Sequence, residues 1–323
     1  MKKLGILLFL LAGSCLPVLP GAPASLILNG RVYRHAGVTA RELGTGFFRA
    51  SAGETFYLAR DKDSFAFKPE QADFRFDNVR IAGSFPVRRG AGNAAYFSLV
   101  DINAVLRPLF ATSQTVRRHA LRKIVLDPGH GGFDRGAAGS RVVEKDLALR
   151  LAQRTAEILR RCGYTVLMTR NSDRLIPLNN RAAFANSARA DIFVSLHCNA
   201  RTDSRANGIE SYCLTPAGAA STNQKRISAV KCAGNKLDPN NFLLAFELQR
   251  AMLHRTRAND RGVRRSRFAV LRDLNMPGAL LEVGFLSNPA EETRLGSAAY
   301  VEQLARGIAV GIINYHRRIY GRR

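Results

Sequence analysis

The 323-residue sequence predicts an α/β protein. A mostly parallel sheet flanked by helices fills the C-terminal part, and a small, mixed, β-rich domain precedes it. From Arg122 onward, short apolar runs alternate with longer runs of helical period in the order β-α-β-α-β, the pattern of a parallel sheet covered by helices. Before that point the apolar runs are short and aromatic-rich, and Asn29-Gly30 between alternating apolar positions marks a hairpin. Hydrophobic residues make up 46% and charged residues 23% of the chain, the balance of a globular protein with a real core. The length suits about two domains.

In chain order, Met1-Lys2-Lys3 is a basic n-region and Leu4 to Ala12 a short apolar run. Together they read as a secretory leader over residues 1–24, too short to stay in a bilayer as a spanning helix. Two processing sites fit: Ala22-Pro23-Ala24, releasing a chain that starts at Ser25, and Leu11 to Cys15. The latter resembles a lipobox, with Ala12 where leucine is preferred. Either one sends the protein out of the cytoplasm, periplasmic or envelope-associated, soluble or lipid-anchored through Cys15. Residues 25–110 form the accessory domain, in which Ser98 or Asp101 caps a short helix that stops near Pro108. His35 is expected at the surface or in packing. Residues 111–121, polar and basic, read as a linker that includes His119. The α/β domain spans 122–318, and 319–323 is a basic tail.

Within the α/β domain a helix runs from Glu144 to Cys162 and stops at Gly163. Strands follow at Tyr164–Thr169, Asp191–Leu196 and Gly208–Leu214, with a short helix at Asn179–Arg189. A helix over Asn241–Thr256, strands at Phe268–Leu271 and Ala279–Val283, and a closing helix at Ala298–Ile313 complete the pattern. His254 and His316 sit among arginines and are expected to be solvated.

Lys+Arg number 49 against 25 Asp+Glu, a formal charge of +24. Such a surface attracts polyanions: nucleic acid, anionic lipid or an acidic wall polymer. The excess is spread along the chain, so a merely solvated basic surface fits as well. No zinc-finger spacing or RNA-binding aromatic signature points to nucleic acid, which is not expected as a partner. Of the five cysteines, Cys162, Cys198, Cys213 and Cys232 lie beyond the leader. Four allow three pairings, and the sequence does not choose among them.

The chemistry gathers at strand ends, where open α/β sheets bind ligands. The run KIVLDPGHGGFDRGAAGSRVVEKD takes a buried strand into Asp127-Pro128-Gly129 and sets His130 on a loop of small residues. Glu144 opens the next helix. His197 ends the strand DIFVSL, and Cys198 beside it faces the other way along the strand, as a small buried residue. His130, Glu144 and His197 fit a catalytic zinc site of three protein ligands and an open position. Glu282, an acid within the apolar ALLEVGF, is costly there unless it is paired with an arginine or has work as a general base. Arg170, Asp173 and Arg181 suit either a scaffold of ion pairs or substrate contact. Glu210 suits either a partner for a ligand histidine or an arginine pair, and Asn199, Arg264 and Asn288 are candidates for the groove.

DPGHGG, the EKDL helix start, TR-x-x-D, L-x-x-R-x-x-x-AN, SLHCNA, GIESY, RGV…FAVLR, MP-x-x-LLEVGFLSNP-x-E and the closing helix occur in that order. This set, over about residues 123–315, resembles the zinc-dependent N-acetylmuramoyl-L-alanine amidases of the type 3 family. The resemblance implies a phosphorylase/hydrolase-like sheet and one Zn2+ per catalytic domain held by His130, Glu144 and His197. It implies Glu282 as the catalytic glutamate and peptidoglycan as substrate, cut between N-acetylmuramic acid and L-alanine. The accessory domain loosely resembles the stalk-like domains found beside wall hydrolases. Cys198 stands where the family more often has alanine. Some relatives insert an inhibitory helix after GIESY whose acid occupies the zinc; the basic segment 215–241, with Asp238 as its one acid, is expected to form no such plug. Two other readings share part of the pattern: another zinc peptidase, such as a carboxypeptidase, and a catalytically silent wall-binding protein. The basic surface is then expected to hold peptidoglycan or the anionic envelope surface beside it.

Overall fold

The computed structural model describes residues 22–51, 53–92, 94–110, 121–222, 224 and 226–321. The leader up to Gly21, Cys15 included, and the linker with His119 lie outside the described residues. The chain divides into two compact units, Met1–Thr112 and Ser113–Arg323.

The first unit is built of short antiparallel strands joined by tight turns. β1 (Ser25–Leu28) and β2 (Arg31–His35) pair across Asn29-Gly30, and both turn residues have positive φ, 49° and 70°. That backbone matches the twist of a two-residue hairpin, which explains the Asn-Gly pair. After helix α1 (Ala36–Leu43) come β3 (Gly46–Arg49), β4 (Phe56–Arg60), β5 (Asp63–Phe67), β6 (Asp73–Phe76) and β7 (Val79–Ala82), each antiparallel to the next. β8 (Arg88–Arg89) and β9 (Ala95–Ser98) join β1 and β2 in a second sheet. Alternation sends Phe56, Phe65, Phe67, Phe74 and Phe97 inward, where they are buried with ring centroids 4.6–6.3 Å apart along the cluster. His35 is a packing residue: its Nδ1 accepts the Gly37 N–H at 3.0 Å and its ring stands edge-on to Tyr96. Ser98 caps the helical turns that follow by accepting the Asp101 N–H, and these turns continue past Pro108 to Phe110.

The second unit holds a six-stranded sheet. β10 (Lys123–Pro128), β11 (Thr165–Met168), β12 (Ile192–Asn199), β13 (Ile209–Leu214), β16 (Asp260–Ser266) and β17 (Gly278–Phe285) run in the order β11-β10-β12-β17-β13-β16. All neighbours are parallel except β13 and β17. The short β14 (Ala219–Ala220) and β15 (Ile227–Ser228) form a separate hairpin. The helices are α2 (Glu144–Arg161), α3 (Leu178–Ser187), α4 (Asp238–Thr256), α5 (Ala269–Arg272), α6 (Pro289–Gly296) and α7 (Ala298–Tyr320). α2 buries Leu147, Leu151, Ala152 and Leu159 along one stripe, the period of an amphipathic helix over a sheet. No helix among the described residues is long and apolar enough to cross a membrane.

Three expectations are corrected. Phe268–Leu271 is not a strand: Phe268 precedes the single helical turn α5, and the strand lies upstream at Asp260–Ser266. Its sequence DRGVRRS carries one large apolar residue, so no hydrophobic alternation betrays it. The closing helix runs on to Tyr320. His316 within it is buried, with Nδ1 2.7 Å from the Tyr164 hydroxyl and its ring between Tyr164 and Tyr320.

Helices α4 and α7 cross where α7 presents two glycines. A Cβ on Gly307 would lie 3.0 Å from Met252 Cα, and one on Gly311 would lie 2.7 Å from Leu248 Cα. Backbone cannot give way there as a side-chain tip can. Gly311→Val is therefore expected to overpack the crossing and destabilise the second unit by about 1–3 kcal/mol. Denaturant titration checks this, as a lowered midpoint at unchanged slope.

Candidate metal centre

The site begins with a buried anion beneath it. Asp127, at the end of β10, is fully buried. Its carboxylate accepts from Thr169 Oγ1 at 2.6 Å, Ser195 Oγ at 2.7 Å and Arg181 Nη1 at 2.8 Å. Arg181 also donates to the carbonyls of Pro128 and His130. Arg170, fully buried, donates to the carbonyls of Pro128, Gly129 and Lys145. The two guanidiniums thus fix the DPGH loop by its backbone oxygens, five donors to a rigid fork. Both arginines are scaffold, and Asp173 belongs with them: it accepts from Lys145 Nζ and the Gly132 N–H.

On this base the chain turns sharply. His130 takes a left-handed backbone, φ 58°. The glycines around it are required by crowding: a Cβ on Gly129 would lie 2.3 Å from His197 Cε1, and one on Gly136 would lie 2.4 Å from Glu144 Oε2 and 2.6 Å from His130 Cδ2. Glu144 opens α2, where a carboxylate is favoured by the helix dipole. Its Oε2 accepts the Ala137 N–H and its Oε1 the Cys198 N–H. His197 lies two residues before the end of β12, at a register shift.

These elements bring the three sequence-nominated donors together. His130 Nε2 lies 3.1 Å and His197 Nδ1 2.9 Å from Glu144 Oε1, and one ligand atom from each residue lies within 4.8 Å of the other two. Burial alone would raise the Glu144 carboxyl; hydrogen bonds from His130 and His197 outweigh it and hold it well below the usual carboxylate range. Burial opposes charge on His130, but Glu144 and then Asp134 win and raise its pKa.

Glu282 sits on β17 directly beside His197 in the parallel ladder and opposite Glu210 in the antiparallel one. Its Oε2 is buried without a hydrogen-bond partner. Burial, then the charges of Glu144 and Glu210, push its carboxyl well above the ordinary value. A desolvated carboxyl next to a donor cluster is what proton transfer requires. Glu210 pairs with arginine and not with a histidine: Arg261 lies at 2.7 Å and Arg264 at 3.4 Å, and the Tyr212 hydroxyl donates at 2.6 Å. Asn199 Nδ2 donates to Glu210, and Asn288 caps α6.

Among the described residues Cys162, Cys198, Cys213 and Cys232 are all free. Cys198 Sγ donates to the Gly284 carbonyl, burial, then the Glu282 charge, push its thiol well up, and it is not among the clustered donors. One contributor escaped sequence reasoning. Asp134 Oδ2 lies 2.8 Å from His130 Nδ1, which directs the ring's other nitrogen to the cluster, as carboxylates behind metal-binding histidines do. The available signal was an acid four residues after His130, within a Gly-bounded turn.

Glu292 pins the loop ahead of Glu144: its carboxylate accepts from Ser140 Oγ and from the backbone N–H groups of Arg141 and Val142. The Arg141 N–H, opposed by burial and helped by Val142 and Ser140, lowers its pKa from 4.5 to about 2. A folded pKa below the unfolded one stabilises the protein above pH 4.5 and loses that contribution as pH falls towards about 2. Glu292→Gln is expected to flatten this stretch of a stability-versus-pH curve measured by denaturant unfolding.

Comparison with known proteins identifies relatives of the second unit. The chain is 38% identical over 221 residues to the N-acetylmuramoyl-L-alanine amidase AmiC of Neisseria meningitidis, covering 59% of this chain and 52% of that protein. It is 33% identical over 219 residues to AmiA of Escherichia coli, covering 60% and 76%. It therefore spans about half the length of that AmiC and about three quarters of AmiA. Among solved structures, the N-acetylmuramoyl-L-alanine amidase of Clostridium difficile 630 matches with a TM-score of 0.52 at 33% identity, over 61% of this chain and 97% of that one. The family model described as N-acetylmuramoyl-L-alanine amidase matches residues 124–314, and the chain belongs to that family.

Proposed function

We propose that this chain is a peptidoglycan amidase that holds one zinc ion through His130, Glu144 and His197 and uses Glu282 as its general base. The bond cut joins the lactyl group of N-acetylmuramic acid to the L-alanine of the stem peptide. The observation that carries this reading is the convergence of two imidazoles and one carboxylate beside Glu282 on the neighbouring strand, whose Oε2 is buried without a hydrogen-bond partner. The donor set fits zinc: nitrogen and oxygen ligands, three in number, leaving a position open. The cradle fits too, since a side chain at Gly129 or Gly136 would fill it.

Bound there, zinc supplies Lewis acidity and a water acidic enough to ionise near neutral pH. The chain's own residues do the rest. Asp134 accepts the His130 Nδ1–H, which fixes the tautomer and leaves Nε2 as the donor. Glu282 takes a proton from the attacking water and hands it to the departing nitrogen of L-alanine. Its neighbours favour that task, because Glu144 and Glu210 both raise its proton affinity. Asp238, the acid of segment 215–241, accepts from Asn235 Nδ2 at the start of α4.

Glu282→Gln in the intact chain is expected to lower amide cleavage about 10²–10⁴-fold with zinc content unchanged, whereas His197→Ala loses the zinc as well. Dye release from purified sacculi, new L-alanine amino groups on intact glycan and metal analysis read these outcomes. Release of C-terminal residues without L-alanine amino groups would instead identify a carboxypeptidase, and binding without release would identify a silent wall-binding protein.

The charge of +24 suits an exported protein held on an anionic wall or envelope surface, soluble or anchored through Cys15, with residues 25–110 as its accessory domain. Binding to sacculi is expected to weaken steeply with salt, as screening demands; co-sedimentation that does not change between low and high salt overturns the electrostatic account.

A further inference from the structure

Among the described residues, Phe133 is the most exposed large apolar side chain, at 86%. Covering a phenylalanine is favourable, and this one is left in water three residues from His130. Looseness does not explain it. Gly131 and Asp134 exchange two backbone hydrogen bonds across the turn, at 2.9 and 3.2 Å. The Gly132 N–H donates to Asp173, and the Gly132 carbonyl accepts from Lys145 Nζ. The turn also lies hard against the chain beside it, since a Cβ on Gly131 would be 2.2 Å from the Arg174 carbonyl oxygen. Asp134 is committed to His130 and to the Gly136 N–H. With both flanking residues tied down, the fold holds the Phe133 ring outward on the loop that carries His130.

Strand order says which part of the substrate meets it. The sheet runs β10-β12-β17-β13-β16 across the site. His130 and Phe133 follow β10, Glu282 lies on β17, and the basic side chains Arg261 and Arg264 lie farther on, on β16. Glu282 must reach the departing nitrogen, so the stem peptide leaves towards β17 and the polar cluster of Glu210, Arg261 and Arg264 beyond it. The other side of the scissile bond, the lactyl group and its sugar, then falls towards β10. A neutral ring without a polar handle matches the C–H face of a pyranose there.

We propose that Phe133 is a positioning residue that stacks on the muramic acid ring, an inference that rests on the amidase reading above. It is tested by the affinity of peptide-free glycan strands, and separately of free stem peptide, for the Glu282→Gln protein with and without Phe133→Ala. Loss of the ring is expected to weaken glycan binding about three- to tenfold, to be rescued by Phe133→Trp and to leave stem-peptide binding unchanged. In the active enzyme Phe133→Ala is expected to raise KM on muramyl peptides by a similar factor, with kcat and zinc content unaltered. Equal glycan binding by both proteins overturns the proposal, as does weakening confined to the stem peptide or a loss seen in kcat alone. A wild type that frees no L-alanine amino groups overturns the amidase reading itself, which is separable because the binding arm needs no turnover.

Discussion

Everything at the candidate centre stands on a charge buried under it. Asp127 has no exposure, and the side chain of Arg181 has 3%. Removing one partner from such a pair typically costs about 3–5 kcal/mol, because the other is left charged in an apolar surround. Here the pair is also geometric. Arg181 reaches from α3 to Asp127, then to the carbonyls of Pro128 and His130, so the anion under the sheet and the backbone carrying the histidine are set by one planar group. Arg170 does the same from β11's end, sharing the Pro128 carbonyl and adding those of Gly129 and Lys145.

Above that base the acids are arranged in a graded way. Glu210 is matched by two arginines and a tyrosine hydroxyl and is held below its ordinary pKa by the Tyr212 and Arg261 hydrogen bonds against the cost of burial. Glu144 is matched by histidines and backbone N–H groups. Glu282, beside His197 in one ladder and Glu210 in the other, has no such match, and its Oε2 is buried without a hydrogen-bond partner. Acids with and without partners thus sit side by side, which is how environments push carboxyl pKa values apart.

Much of this was legible in the sequence because its signals are local. Asn29-Gly30 fixes a hairpin by backbone chirality, and the apolar run before Asp127-Pro128-Gly129 marks a strand and its end. His130, Glu144 and His197 could be nominated because each sits where a strand or helix pattern changes. What stayed hidden depends on partners far away. β16 is rich in arginine and forms because Glu210 and the β13 edge receive it. His316 is buried because Tyr164 faces it from across the sheet's edge. The choice between scaffold and substrate contact for Arg170 and Arg181 required knowing which carbonyls they reach, and no spacing rule reports that.

The two units also differ in how far apart in sequence their neighbours lie. β3 to β7 form a meander in which every strand pairs with the next across a short connection. Such near-neighbour pairing closes small loops and forms quickly, so this part can take shape while the ribosome is still at work. The candidate centre obeys a different clock: β12 lies between β10 and β17, and β17 is synthesised long after β10 and β12. The chain therefore cannot bring Glu282 beside His197 until β17 has followed, which leaves the four groups unassembled in any nascent fragment that stops short of that strand.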